Sequence, residues 1–352
     1  DGMIGHVGAE TDRLGLKFTM QNCPGWAMSG GPWIKPDAAM RHLIWSRTDL
    51  QGSEAAGLTL AVPQPSAEPW RDHRDIAGVA FPTPDGDNGE PLRPVRIQSN
   101  RTDVPWEKLF TGQLASPVPI ASGTTPTWIE VEFETPTVLR TVELPPTSQL
   151  LVKRVFDPRT AVLLEARTES GWQEVGRRVV PRGNWQDRLP EFRLTLAYPD
   201  HAARVFRITF LSDVALALDG IRLWSAARNN DWRGQAGYAL RSLERDTPPQ
   251  QNRRAWIDPD AVIDLSGNVS AGGELVWTPP AGKWTVVRFG HVNTGVTNKP
   301  APPEATGFEC DKFSPHGAEQ HFAGYIGRLT ERDTAVKNGR LRRMLIDSWD
   351  CY

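Results

Sequence analysis

The sequence predicts a multidomain α/β plus all-β protein. A partial (β/α)8-type barrel is interrupted by a large β insertion that includes an antiparallel β-sandwich. Three observations predict this. A helix, a strand and a polar loop follow one another at each end of the chain, over residues 3–33 and again over 318–350. Such units are the repeat of a β/α barrel. From Thr127 onward, strands alternate apolar and polar residues and are separated by turn signals, the pattern of a sandwich of about 100 residues. Finally, 31 Gly and 30 Pro among 352 residues make about 17%, against a usual ~12%, which favours turns and short strands over long helices.

Each element follows from its local pattern. Residues 3–14 read as a helix ending at Gly15, a C′ glycine. Leu16, Phe18 and Met20 alternate with Lys17 and Thr19, so a strand runs over 15–21 and delivers a Gly/Pro-rich loop reaching Trp33. Pro36 opens a short helix to Met40. Residues 43–125 carry scattered strands broken by Pro and Gly. The sandwich strands lie at 128–133, 138–144, 161–167, 192–196, 205–210 and 218–224. Residues 231–245 form a helix or an extended linker, and a second β block runs through 262–265, 274–277 and 284–289. Apolar positions 318, 322, 325, 326, 329 and 336 share one helical face, and Leu341 to Ile346 reads as a strand. The expected segments are therefore 1–42 and 304–352 (barrel), 43–126 (loop-rich β insertion), 127–226 (sandwich) and 227–303 (second β block and linker).

Composition excludes several classes. With 40 Lys+Arg against 42 Asp+Glu, a formal net charge of −2 argues against nucleic-acid binding by a basic surface. No apolar run approaches the ~20 residues of a membrane span. Cys23, Cys310 and Cys351 match no zinc motif and cannot all pair with one another. The seven His form no H-E-x-x-H set, and no Walker loop, G-x-G-x-x-G or G-x-S-x-G is present. The chain opens on Asp1 with no signal-peptide pattern and stops just after a strand, so we read it as an internal piece of a larger protein.

Barrel chemistry sits at the C-terminal ends of strands. The first tip carries Asn22, Trp26, Ser29 and Trp33, and the second carries Asp347, Trp349 and Asp350. Glu309 and Asp311, with Lys312, stand just before the second helix. Carboxylates among indoles suit glycoside hydrolysis: one carboxylic acid protonates the leaving oxygen, and a second carboxylate activates water or attacks the anomeric carbon. The 14 Trp outnumber 12 Phe and 4 Tyr, and an indole face matches the C–H face of a pyranose, though Trp also packs sandwich cores. Asp347 and Asp350 are the candidate catalytic residues. Asn22, Trp26, Trp33, Glu309, Asp311 and Trp349 are the candidates for sugar binding. An Asp at a strand tip also serves as a helix cap, and Glu309 and Asp311 also suit a solvated loop paired with Lys312.

The segment Asn22-Cys23-Pro24-Gly25-Trp26-Ala27-Met28-Ser29-Gly30-Gly31-Pro32-Trp33-Ile34 resembles the N-x-P-G-W-x-x-S-G-G-P-W-I signature of glycoside hydrolase family 106, the α-L-rhamnosidases. Trp277 to Trp284 resembles that family's W-x-P-x-G-x-W turn. Thr306 to Lys312 is similar to its T-G-L-E-x-D-K segment, and Asp347-Ser348-Trp349-Asp350 to its D-S-W-E motif. Residues 127–226 separately resemble a discoidin-like, galactose-binding β-sandwich, which binds sugar in some proteins and scaffolds in others.

The resemblance implies an inverting hydrolase that releases terminal L-rhamnose from a carbohydrate or glycoside, with calcium in the site and a secreted or periplasmic location. It implies that Asp347 and Asp350 include the general acid, and that the general base stands on a later strand outside this chain. The isolated chain is then expected to give no turnover. One departure stands out: the family's final Glu is Asp350 here, shorter by one carbon–carbon bond, about 1.5 Å. Calcium takes six to eight oxygens, and Glu309 and Asp311 are its candidate ligands. The competing readings are another barrel glycoside hydrolase, acting on a different deoxysugar or a uronic glycoside, and a carbohydrate-binding or scaffolding protein with a degenerate barrel.

Overall fold

The structure is a computed structural model describing residues 2–22, 28–52, 57–64, 71–120, 125–150, 160–181, 193–237, 249–332 and 339–346. Helix α1 (Gly2–Arg13) ends where Gly15 turns left-handed at φ 68°, and β1 (Phe18–Gln21) follows. Beyond a 3-10 turn at Pro36–Ala38 come β2 (Arg41–Gln51), β3 (Leu58–Thr59) and β4 (Arg71–Pro82). Next are β5 (Arg96–Ser99), α2 (Trp106–Thr111), β6 (Val118–Ile120), β7 (Thr127–Val138), β8 (Thr141–Leu144) and α3 (Thr147–Leu150). The middle of the chain continues with β9 (Thr160–Thr168), β10 (Gly171–Val179), β11 (Leu194–Ala197), β12 (Ala202–Ser212), β13 (Leu216–Leu218), β14 (Arg222–Trp224) and α4 (Trp232–Gln235). Last come β15 (Ile263–Asp264), β16 (Glu274–Leu275), β17 (Lys283–Asn293), α5 (Pro315–Phe322), α6 (Arg328–Arg332) and β18 (Leu341–Leu345).

The sandwich packs a five-stranded antiparallel sheet, β10-β9-β12-β7-β5, against a three-stranded one, β11-β8-β14. Alternation drives it. In β7, Thr127, Ile129, Val131 and Phe133 point inward while Trp128, Glu130 and Glu132 face outward. Val162 and Leu164 of β9 and Phe206 and Ile208 of β12 complete the inner face, opposite Val142, Leu144, Leu194 and Leu196. The fully buried Tyr198 satisfies its hydroxyl by donating to the Val162 carbonyl at 3.1 Å. On the outer face, the Arg207 guanidinium lies 4.7 Å from the Trp128 ring and 4.1 Å from the Trp172 ring, and pairs with Glu130.

A second sheet, β15-β4-β17-β2, is also antiparallel and draws strands from both 43–126 and 227–303. The segments expected as separate blocks thus share one sheet, while β5 and β6 join the sandwich region. Arg288 of β17 is buried, and its guanidinium makes two 2.8 Å bonds to Asp75. Arg140 clamps the two regions together, gripping Asp200 at 2.7 and 3.1 Å and donating to the carbonyls of Ser225 and Asp85.

Several boundaries differ from expectation, each for a physical reason. The strand expected over 138–144 breaks at Leu139-Arg140, because the chain crosses there from the five-stranded sheet to the three-stranded one. β2 and β4 are long where only scattered strands were expected; their polar positions, as in Arg71-Asp72-His73-Arg74-Asp75, face solvent and hide the alternation. β10 was not anticipated. The helix expected from 318 is divided by a π-turn at Ala323–Gly327. Of residues 231–245, α4 is helical, and 238–248 lie outside the described residues.

Strands β1 and β18, far apart in sequence, pair in parallel, with Met20 opposite Met344 and Gln21 opposite Leu345. This pair, with α1 before one strand and α5–α6 before the other, is what the described residues contain of the expected barrel. No helix among the described residues is long and apolar enough to cross a membrane.

Candidate functional site

Parallel pairing sends both strands out at the same end. The Asn22 amide continues the ladder by donating to the Leu345 carbonyl at 2.8 Å. Asn22 and Ile346 thus stand at one edge, where parallel β/α folds place their chemistry. Trp26, Asp347, Trp349 and Asp350 lie outside the described residues.

Two segments make the described part of the site. Residues 28–40 follow β1 in sequence, and 294–314 follow β17. The Gly31 amide donates to Phe308 O at 3.1 Å, Met40 N to Glu309 O at 2.8 Å, and Asp311 N to Ala38 O at 2.8 Å. Ala39 and Cys310 form an antiparallel bridge, and the buried Cys310 thiol lies 3.0 Å from Ser29 Oγ. Burial pushes that thiol above its ordinary pKa, which the Ser29 contact offsets only in part, so it is an inert packing group. The backbones approach so closely that a Cβ on Gly307 would fall 2.1 Å from the Gly31 carbonyl carbon.

The four described residues among those the sequence predicts each have a definite place. The Asn22 side chain donates to the Met28 carbonyl at 2.8 Å, closing the base of the segment between them. Trp33 stacks on Tyr325, with centroids 5.8 Å apart and planes 3° off parallel, so one indole face meets protein rather than solvent. Its Nε1–H donates to His321 Nδ1 at 3.3 Å. Glu309 is buried and pairs with Lys312 at 2.6 Å; the two side chains are 7% and 1% exposed, so the pair is no solvated loop contact. Asp311 accepts from the Phe313 amide at 3.0 Å, an Asx turn leading into α5. Glu309 and Asp311 are near in chain but differ in task. Among the described residues, no three His, Cys, Asp or Glu side chains gather as a metal donor set.

Sequence reasoning missed His321. Its Nδ1 accepts from both the Gly30 amide and Trp33 Nε1–H, each at 3.3 Å. The proton therefore sits on Nε2, which donates to the Asn22 carbonyl at 2.9 Å. Burial pushes this imidazole below its ordinary pKa, and the Asn22 contact opposes that only in part. A signal was available: Gly317, His321 and Gly324 recur at helical spacing. A Cβ on Gly317 would meet the Asp311 carbonyl at 2.6 Å, and one on Gly324 would meet Trp33 Cγ at 2.0 Å. The small residues of this face let the two site segments lie directly against the helix.

Comparison with known proteins completes the picture. A "Putative beta-glucuronidase" of Formosa agariphila is 40% identical over 341 residues, covering 97% of this chain and 17% of that protein. The structure of a rhamnosidase from Novosphingobium sp. PP1Y superposes with a TM-score of 0.71 at 26% identity, covering 98% of this chain and 33% of that one. An F5/8 type C domain of a Bacteroides fragilis protein also aligns, with a TM-score of 0.30 and 14% identity over 38% of this chain and 92% of that one. The chain thus spans a third or less of the length of its first two relatives. The family model described as alpha-L-rhamnosidase matches residues 2–351, and the chain belongs to glycoside hydrolase family 106.

Proposed function

We propose that this chain is part of an O-glycosyl hydrolase that releases terminal L-rhamnose from α-L-rhamnosides with inversion, in a barrel site at the exit of β1 and β18. One observation carries the reading: the parallel β1–β18 pair brings Asn22 and Ile346 to one edge, so the segments bearing Trp26 and Asp347 to Asp350 both continue from there. The family membership supports a carbohydrate substrate.

In this reading Asp350 protonates the leaving glycosidic oxygen. Its carboxyl reaches about 1.5 Å less far than a Glu would. Asp347 orients that acid or binds sugar hydroxyls. The general base of an inverting site stands ~6.5–9.5 Å away to admit water. We assign it to a segment outside this chain, which leaves the isolated chain without turnover. We assign sugar binding to Trp26 and Trp349, while Asn22 ties the base of the loop through Met28. Glu309 and Asp311 do not by themselves make a calcium site, since Glu309 is engaged by Lys312 and Asp311 by a turn; calcium would need further ligands. A secreted or periplasmic setting fits a glycosidase of polymeric or glycosylated substrates.

The Formosa relative's name supports a second reading, a β-D-glucuronide as substrate. The test is the full-length gene product on aryl α-L-rhamnoside and aryl β-D-glucuronide, following the anomeric configuration of the released sugar. β-L-Rhamnose as first product supports the proposal. Release of glucuronate alone replaces the substrate, and release of neither sugar removes the proposed activity.

A further inference from the structure

The side-chain carbonyl of an Asn or Asp that precedes Gly is open to attack by the glycine's own nitrogen, because no Cβ obstructs the approach and the backbone is free to turn. Three such pairs lie wholly within the described residues: Asp85-Gly86, Asn88-Gly89 and Asp219-Gly220. Two of them are locked. Arg193 donates to Asp219 Oδ1 at 3.0 Å and to the Gly220 carbonyl at 2.7 Å, and Gly220 is buried. The Asp85 amide donates to Arg254 O at 2.8 Å, the Asp85 carbonyl accepts from Arg140 at 3.3 Å, and a Cβ on Gly86 would fall 2.7 Å from Arg140 Nη1. Both side chains are carboxylates besides, and an ionised carboxylate repels a nucleophile.

Asn88 differs in each respect. It is an amide, and it is exposed in the loop that joins β4 to β5. Its Oδ1 accepts from the Glu90 amide at 3.2 Å. The Gly89 N–H donates to Asp87 Oδ1 at 3.3 Å, with Gly89 at φ 76°. The attacking nitrogen thus meets a carboxylate able to take its proton. The oxygen on which negative charge develops meets an N–H.

We propose that Asn88 is a site of spontaneous deamidation, promoted by Asp87 and the Glu90 amide, and that its product loosens the joint between the second sheet and the sandwich. The Gly89 nitrogen bonds to Asn88 Cγ, and its proton passes to the Asp87 carboxylate. The Cγ–Nδ2 bond then breaks, and the leaving nitrogen takes that proton and departs as ammonia, so a succinimide ring remains. Water adds to either ring carbonyl and breaks its bond to the shared nitrogen, which gives aspartate or isoaspartate at position 88. Asp87 is the tie at stake. It accepts from Arg47 of β2 at 2.7 Å and faces Arg228, beyond β14, at 3.6 Å. Asp49 shares Arg47 at 3.0 Å, and its Oδ2 lies 3.0 Å from where a Gly89 Cβ would stand. A carboxylate at position 88 brings a third anion to these two cations, and an isoaspartate also lengthens the backbone there by one methylene.

The experiment ages the folded full-length gene product in near-neutral buffer, beside the same protein unfolded in guanidinium chloride, and maps peptides by mass spectrometry. The expected result is a gain of one mass unit at position 88, partly as isoaspartate, several-fold faster in the folded protein than in the unfolded one. Isoaspartate at positions 85 and 219 should form more slowly in the folded protein than in the unfolded one. Asp87→Asn should slow the folded reaction several-fold and leave the unfolded rate little changed, because the base helps only where the fold presents it. Slower conversion at 88 in the folded protein than in the unfolded one overturns the proposal, and so does an Asp87→Asn variant that converts as fast as the parent. Asn88→Gln closes its larger ring far more slowly and serves as the unreacted reference. Against it, amide hydrogen exchange over 83–92 should quicken in the aged parent; exchange equal to the reference overturns the loosening. None of these readings needs turnover of a glycoside.

Discussion

The sandwich and the site edge are held together by different forces. The sandwich closes its own core: Ile129, Val131, Leu164, Phe206 and Ile208 are fully buried, and the opposing sheet covers them. At the edge built by α1, β1 and β18, Met3, Leu14, Leu16, Leu345 and Ile346 are each more than half exposed. The site segments beside it bury only a small cluster, Ile34, Ala38, Ala39 and Cys310, and add polar staples: His321 on three partners, Asn22 on Met28, and Glu309 on Lys312. Apolar area stabilises without direction, at roughly 25 cal/mol per Å². Hydrogen bonds fix distance and angle but contribute only about 0.5–1.5 kcal/mol each. The comparison sets a region held chiefly by its own core against one placed also by directional bonds.

The largest expected effect tests the placed region. Asp350→Asn in the full-length gene product removes the proposed acid, and general acid catalysis contributes about 10²–10⁴-fold. Rhamnoside release is expected to fall on that scale on a substrate with a poor leaving group, with the melting temperature unchanged. Release that survives the substitution would move the acid to Asp347 or elsewhere.

Next comes the buried ion pair. Lys312→Met removes the ammonium paired with the buried Glu309 carboxylate, a loss of about 3–5 kcal/mol. Adding Glu309→Gln removes the charge and should restore part of that stability. Denaturant unfolding reads both variants. A cost below about 1 kcal/mol for Lys312→Met would class the pair with exposed salt bridges and refute its burial.

The sandwich gives the complementary result. Leu164→Ala opens a cavity in the closed core, with an expected loss of about 2–5 kcal/mol. Calorimetry should show a lowered transition, while the kcat/KM of the folded protein stays at the parental value. A matching fall in kcat/KM would mean that the two regions are coupled rather than separately built.

These regions were also unequally legible in the sequence. Period-two alternation in Trp128 to Phe133 and Val205 to Phe210 marks sandwich strands because each has one wet face and one dry face. The same logic under-read β2 and missed the length of β4, whose charged residues on successive positions show no clean alternation. The site loop was legible as a motif, because Gly30 and Gly307 lie against neighbouring backbone and Gly31 against the Trp33 ring, where nothing larger fits. His321 was not: a histidine on a helix face carries no mark of its partners, which come from residues nearly 300 positions away. Nor could spacing reveal that Glu309 and Lys312 are buried, since an i,i+3 pair reads the same in water.

The smallest expected effect is on pH dependence, and it again divides the regions. Burial lowers the His42 imidazole from 6.5 to about 4, and burial also holds His321 below its ordinary value. Both are neutral in the folded protein near neutrality, whereas the unfolded chain takes up protons below about pH 6.5. A depressed histidine therefore contributes stability that is whole above pH 6.5, erodes as pH falls, and is gone below its folded value. For His42 that window runs down to about 4. Asp72 is held low by its bonds to Arg41, and Asp75 by its bonds to Arg288, so their contributions survive this window and fail only in stronger acid. Acid should thus loosen the site segments and the strand around His42 first, the Asp72–Arg41 and Asp75–Arg288 pairs afterwards, and the sandwich core last. Hydrogen exchange at pH 7, 5.5 and 4.5, corrected for intrinsic rates, reads that order directly. Protection lost from 28–34 before it is lost from β7, β9 and β12 supports it; simultaneous loss would show that the protein unfolds as one unit and that the polar staples have no acid sensitivity of their own.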